Sequence, residues 1–151
     1  MKHWLTFLLL FLPLAGMAED ELLMARSQLA FPEAMQQLQE SIKGYGYTVS
    51  RVQRVDVGLT TMGYQTDKYR VVFFAKYPQM KQMAARHPEV IPYLPLKIAI
   101  FAEGDETILV AANPKLLAEF FPQDEDLHIN FIRCASDMKA ILREVQEAGR
   151  E

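Results

Sequence analysis

The sequence predicts an α+β fold, with a mostly antiparallel sheet of about five strands and helices packed on one face. Three observations predict it. Several segments alternate apolar and polar residues and are separated by short turns, which is typical of antiparallel strands. Other segments repeat apolar residues at spacings of three and four, which is typical of amphipathic helices. A chain of 151 residues with one cysteine is long enough to form a single core without disulfides.

The helical prediction is clearest near the start of the domain. Phe31, Met35, Leu38 and Ile42 recur at spacings of four, three and four, so they form one apolar face. Gly44 follows as a helix end. Three further helices are predicted at residues 78–86, at residues 115–121 after the Asn113-Pro114 pair, and from Ser136 or Asp137 onward with Met138, Ile141, Leu142 and Val145 on one face.

The clearest strand signal is the alternation of Leu94, Leu96, Ile98 and Ile100. A turn at residues 103–106 returns the chain along a partner strand, which predicts a hairpin. Further strands are predicted within residues 21–30, over 45–49 with a bulge near Arg51, over 69–75, and over 129–132. Residues 58–66 and 124–126 are predicted to be loops, and the prolines of residues 88–95 to keep the chain extended.

Residues 1–18 have the three parts of a secretory signal peptide. Lys2 and His3 form a basic start, residues 4–14 are mainly apolar, and small residues precede a cleavage site after Ala18. The apolar run is shorter than a permanent membrane anchor requires. The sequence therefore predicts export to the periplasm as one domain, residues 19–151, with no permanent membrane anchor.

The composition of the mature domain excludes some partners. Because Lys2 leaves with the leader, 15 basic residues face 19 acidic ones, and the net charge is −4. Without a basic stripe, we expect no nucleic-acid partner. Cys134 is the one cysteine, so it is either buried and inert or paired with another molecule.

Met80, Met83 and His87 are the candidate metal-binding residues. Their spacings of three and four place them on one side of the predicted second helix. Thioethers select copper(I), and imidazole also binds copper. The alternative is core packing, because methionine fills irregular gaps between apolar side chains. We predict no other cofactor.

Cys134 and His128 raise the possibility of a thiolate–imidazole pair and hence a thiol-dependent enzyme. The chain has no Gly-x-Ser-x-Gly elbow for a hydrolase triad. Gly44 and Gly46 precede a strand, whereas phosphate-binding glycines follow one. No catalytic residue is predicted, and we expect that the protein is not an enzyme.

The order of landmarks from Phe31 to Phe121 resembles the family called domain of unknown function 302. The landmarks are the aromatic start of the first helix, the glycine turn of residues 44–49, the X-Pro pair Tyr77-Pro78, the Leu94-Pro95 strand entry, and the closing helix after Pro114. The resemblance implies a compact α+β domain that often dimerises and has no established activity. This chain departs from it at Leu96, where many members carry Cys, and at Tyr77, where many carry Asn.

Together these features predict a non-enzymatic binding or accessory module, acting as a homodimer or with another periplasmic protein. The alternatives are a copper- or haem-associated protein that uses Met80, Met83 and His87, and a thiol-dependent enzyme that uses Cys134.

Overall fold

A computed structural model of the chain describes residues 21–150. The predicted leader and its cleavage site lie outside the described residues. Along the chain the elements are β1 (Leu22–Ser27), α1 (Phe31–Gly44), β2 (Thr48–Arg54), α2 (Val55–Thr61), β3 (Tyr69–Ala75), α3 (Tyr77–Arg86), a 3₁₀-helix (Pro88–Tyr93), β4 (Leu96–Glu103), β5 (Glu106–Ala112), α4 (Lys115–Phe120) and α5 (Glu125–Ala148).

The five strands form one sheet in the order β1-β5-β4-β3-β2, and every neighbouring pair is antiparallel. This confirms the α+β fold. The pairing register of β2 with β3 shifts between Val49 and Arg51. This shift is the bulge that the sequence predicts near Arg51. The hairpin between β4 and β5 turns at Gly104, whose φ of 59° lies in the left-handed region that favours glycine.

The main core lies on one face of the sheet, beneath α1 and α5. Leu38 and Ile42 of α1 are fully buried, as predicted from their spacing, and so is Ile141 of α5. They pack against alternate residues of the central strands, such as Phe74 and Ile98. Alternation along the strands therefore decides which side chains enter the core.

The C-terminal region differs from the sequence prediction, because residues 125–148 form one continuous helix. The loop predicted at 124–126 and the strand predicted at 129–132 are both wrong. Asp124 caps α5, since its Oδ1 accepts a hydrogen bond of 2.9 Å from the Leu127 N–H. Leu127 and Phe131, four residues apart, are buried on one helix face, so the apolar run continues a helical stripe.

Two other segments were predicted without helix. Residues 55–61 form α2, which begins before the loop predicted at 58–66 and overlaps its first four residues. The Asp56 carboxylate accepts a hydrogen bond from the Arg70 guanidinium of β3. Pro88–Tyr93 form a 3₁₀-helix rather than an extended stretch. A proline at its start fits, because the first helical N–H groups need no partner within the helix.

A second, smaller core lies at one end of the sheet. The strands β3 and β5 leave the sheet there and β4 enters it, so α3, the 3₁₀-helix and α4 gather at that end. This core consists of buried Val90, Ala118, Leu127 and Phe131, with Met83 and four other partly buried residues against them. Within residues 21–150, no helix has the length and apolar content needed to cross a membrane.

Candidate functional site

A cleft opens between α3 and α5 beside the second core, and we call it the Cys134 cleft. Its cavity volume is about 40 Å³. Its lining consists of Tyr47, Ala75, Lys76, Gln79, Met80, Met83, Leu94, Leu96, Asn130 and Cys134. Half of these side chains are Ala, Leu or Met. The others come from the residue before β2, the connection between β3 and α3, α3 itself, and α5. The cleft therefore has the character of a small-ligand site, apolar with a few polar groups.

Two elements bring the polar side chains together. Lys76 lies in the one-residue connection between β3 and α3, and Pro78 favours the first turn of α3 directly after it. Asn130, Cys134 and Asp137 follow one another on α5 at spacings of four and three, so they share one helix face. Continuous helix through residues 125–148 is thus what aligns them.

A hydrogen-bonded network joins two lining residues of the cleft, Tyr47 and Lys76, to Asp137 of α5. The Tyr47 hydroxyl donates to Asp137 Oδ2 at 2.8 Å, and Lys76 Nζ donates to the same oxygen at 3.1 Å. The Lys76 ammonium also lies 4.4 Å from the centre of the Tyr47 ring, a cation–π contact. Because both donors share one carboxylate, Asp137 holds Tyr47 and Lys76 in fixed positions.

Burial makes the Tyr47 hydroxyl and the Cys134 thiol poor nucleophiles. Burial is the largest cause that raises the pKa of Tyr47, and Asp137 and Cys134 add to it. Burial likewise raises the pKa of the Cys134 thiol, although a hydrogen bond with Tyr47 partly opposes the rise. Both groups are therefore neutral at pH 7, and Cys134 contributes a polarisable thiol rather than a thiolate.

The structure brings together two of the three candidate metal ligands. Met80 and Met83 line the Cys134 cleft. His87 lines the neighbouring groove with Met83 instead, and its Nδ1 lies 3.2 Å from Asp124 Oδ2 and 3.4 Å from Glu89 Oε1. The third sulphur in the cleft is that of Cys134. Within residues 21–150, His, Cys, Asp and Glu side chains form no group of three that could hold a metal ion.

Cys134 and His128 do not meet. His128 is exposed, whereas Cys134 is partly buried. They are six residues apart on α5, which separates them by about 9 Å along the axis and puts them on different sides of the helix. The geometry offers no imidazole base to this thiol.

Sequence reasoning did not identify Tyr47, Lys76 and Asp137 as site residues. Their contacts join residues 61 and 90 positions apart, and local periodicity carries no sign of such pairs. A helical reading of residues 125–148 would have placed Cys134 and Asp137 on one face. Leu96, where the family resemblance expects Cys, also lines this cleft, so here the thiol comes from α5 rather than from β4.

A wider apolar groove of about 470 Å³ lies between the 3₁₀-helix and α4. The charged residues along it, Glu21, Lys97 and Glu119, are all exposed. The Cys134 cleft differs because its charged and hydroxyl groups are at least partly buried and hydrogen-bonded to one another. Buried, convergent polar groups mark a site more strongly than volume does.

Comparison with known proteins gives a family and a fold. The family model described as "Domain of unknown function DUF302" matches residues 24–148. The fold is similar to the crystal structure of an uncharacterised conserved DUF302 protein from Bacillus stearothermophilus, with a TM-score of 0.69 at 17% sequence identity. That similarity covers 87% of this chain and 99% of the other. Among curated proteins, none is significantly similar in sequence.

Proposed function

Since this chain belongs to the family described as domain of unknown function DUF302, which is defined without an activity, we propose its function from the Cys134 cleft. The protein is an exported, non-enzymatic module that binds a small ligand in this cleft. The carrying observation is the network of Tyr47, Lys76 and Asp137, whose polar atoms are paired with one another beside an apolar lining.

The protonation states favour binding over catalysis. General acid–base catalysis needs a group with a pKa near the working pH, and nucleophilic catalysis by Cys needs a thiolate. The pKa of Cys134 is raised by burial, and the Lys76 ammonium is engaged by Asp137. Such groups orient a ligand without exchanging protons with it.

The lining indicates the chemical class of this ligand. The cavity volume of about 40 Å³ is well below the roughly 300–1,000 Å³ of sites for drug-sized molecules, so the ligand has only a few non-hydrogen atoms. Met80, Met83 and Leu94 offer apolar and polarisable contact. Asn130 Nδ2 donates to the Asp126 carbonyl, so Asn130 Oδ1 remains an acceptor for a ligand N–H or O–H. The ligand is a small, mainly apolar molecule with one polar group, met outside the cytoplasm.

Copper(I) is the second candidate, favoured by the three sulphurs of Met80, Met83 and Cys134 in one cleft. Thioether and thiolate ligands select this ion, and binding would deprotonate the Cys134 thiol. His87 is not a ligand in this copper site, because it lies in the neighbouring groove. Copper would therefore bind with a different ligand set from the one that the helical spacing predicts.

The proposal predicts that the bound ligand protects Cys134. We expect mature protein purified from the periplasm to react with iodoacetamide about tenfold more slowly than the same protein after unfolding and refolding. Both rates are measured at the same alkaline pH, because the thiolate is the reacting form and burial raises the pKa of the Cys134 thiol. A copper chelator restores the rate if copper is the ligand, whereas an organic ligand leaves only on unfolding.

A cysteine introduced elsewhere is the control. Met62 follows α2 directly, is 72% exposed and does not line the cleft, so the new thiol of Met62→Cys should react equally fast in both preparations. Equal rates for Cys134 in both preparations would contradict the proposal. Robust turnover of an ester, peptide or phosphoester substrate would contradict its non-enzymatic part.

A further inference from the structure

The apolar groove between the 3₁₀-helix and α4, which we call the wide groove, is large enough to hold a whole small molecule. Its volume of about 470 Å³ falls within the roughly 300–1,000 Å³ of small-molecule sites. Two lining side chains belong to the packed core, since Leu96 is 8% and Met138 is 1% exposed. Two aromatic ones stay open to solvent, with Tyr93 44% and Phe120 66% exposed. The groove therefore offers apolar contact that the described part of the chain leaves uncovered.

The charged side chains of this lining are two carboxylates and one ammonium, on Glu21, Glu119 and Lys97. Within residues 21–150, neither carboxylate has a cationic group within 4.0 Å. The strand β5 lies between β1 and β4, so the backbones of Glu21, directly before β1, and Lys97, on β4, stand about 10 Å apart. This spacing explains why Lys97 does not neutralise Glu21.

The unpaired carboxylates indicate the charge of an occupant. Two carboxylates outnumber one ammonium, so the lining attracts a cation and repels an anion. The exposed rings of Tyr93 and Phe120 favour the same sign of charge, because the face of an aromatic ring attracts ammonium groups. A cation with an apolar body would use both features of the groove.

We propose that the wide groove is a second binding site, for a small molecule with an apolar body and one ammonium group. The apolar body lies over Leu96 and Met138, where binding removes apolar surface from water. The ammonium lies beside the carboxylates of Glu21 and Glu119. This site is separate from the Cys134 cleft, because the two cavities have only Leu96 in common among their lining residues.

The test compares two probes with the same apolar chain and opposite charge, octyltrimethylammonium and octyl sulphate, by isothermal titration calorimetry of the mature protein. We expect octyltrimethylammonium to bind at least about tenfold more tightly. About 1 M salt should reduce this preference, because it shortens the Debye length to about 3 Å and the carboxylates are exposed. Exchanging both carboxylates, with Glu21→Lys and Glu119→Lys in one chain, should reverse the preference.

A tryptophan substitution tests where the probe binds. Ala112 is an exposed residue of the lining, so the indole of Ala112→Trp should fill part of the groove and weaken octyltrimethylammonium binding at least about tenfold. Ala85→Trp is the matched control, because Ala85 is exposed on α3 and does not line the groove. Gln79→Trp, in the Cys134 cleft, should also leave this binding unchanged, so the result is independent of the cleft ligand.

Circular dichroism checks that each variant is folded. Failure of octyltrimethylammonium to bind, or equal or tighter binding of octyl sulphate, would overturn the proposal. Binding that folded Ala112→Trp leaves unchanged would overturn the location. A preference that the double carboxylate exchange leaves in place would overturn the role of Glu21 and Glu119.

Discussion

Replacing Phe74 by alanine is expected to lower the free energy of unfolding by about 3–5 kcal/mol. Phe74 is fully buried in the middle of the core, so its removal leaves a cavity that the neighbouring strands cannot close. Its ring also contacts Tyr47 edge-on, with centroids 5.3 Å apart, and such pairs add about 0.5–1.5 kcal/mol. This is a large part of the 5–15 kcal/mol typical of a domain.

Phe73→Ala is the control, because Phe73 is the preceding residue of β3, is only partly buried and points to the opposite face of the sheet. We expect it to cost about 1 kcal/mol. Urea unfolding is followed by far-UV circular dichroism at low protein concentration. Tryptophan fluorescence would not serve, since Trp4 is the one tryptophan and belongs to the predicted leader. Equal losses for the two variants would contradict the assignment of the core face.

Replacing Asp137 by alanine is expected to lower the free energy of unfolding by about 2–3 kcal/mol. Two donors lose their shared acceptor: the buried Tyr47 hydroxyl and the Lys76 ammonium. The Lys76 side chain is 25% exposed. Water can therefore solvate its ammonium and offset part of the free energy lost with the carboxylate. The same change should also release Tyr47 and Lys76 from their positions in the lining of the cleft.

Two further variants separate the causes. Asp137→Asn keeps an acceptor for Tyr47 but removes the charge, so its loss should be intermediate. Asp126→Ala removes a surface partner of Arg86 at 3.5 Å, where both side chains are mostly exposed, and should cost less than about 0.5 kcal/mol. Losses for Asp137→Ala as small as those for Asp126→Ala would contradict a buried network.

Local patterns explain how much of the fold could be predicted. Leu96, Ile98 and Ile100 alternate because every second side chain of β4 enters the core. The start of α5 was predicted wrongly because three consecutive acidic residues, Asp124, Glu125 and Asp126, are typical of an exposed loop. The same acidic residues also stabilise a helix N-terminus through its N–H groups and dipole. Only the burial of Leu127 and Phe131 on one face distinguishes the two readings.

Of the residues that line the cleft, the sequence placed only Met80 and Met83 next to each other. The spacing of Met80 and Met83 follows from helix geometry, so the sequence places them on one face. Their neighbour Tyr47 directly precedes β2 and Cys134 lies on α5, and tertiary packing alone brings these segments together. His87 shares the helical spacing but is held by Asp124 and Glu89 in the next groove. Periodicity therefore identifies a face but not the cavity that the face lines.

The central claim, that the Cys134 cleft holds a ligand, is tested most directly by native mass spectrometry of protein purified from the periplasm. Gln79 and Gln82 are both exposed on α3, and Gln79 lines the cleft whereas Gln82 lines only the neighbouring groove. We expect the wild type and Gln82→Trp to carry a small bound mass, and Gln79→Trp, whose indole fills the cleft, to lack it. A wild type without bound mass, or a Gln79→Trp that retains it, would contradict the claim.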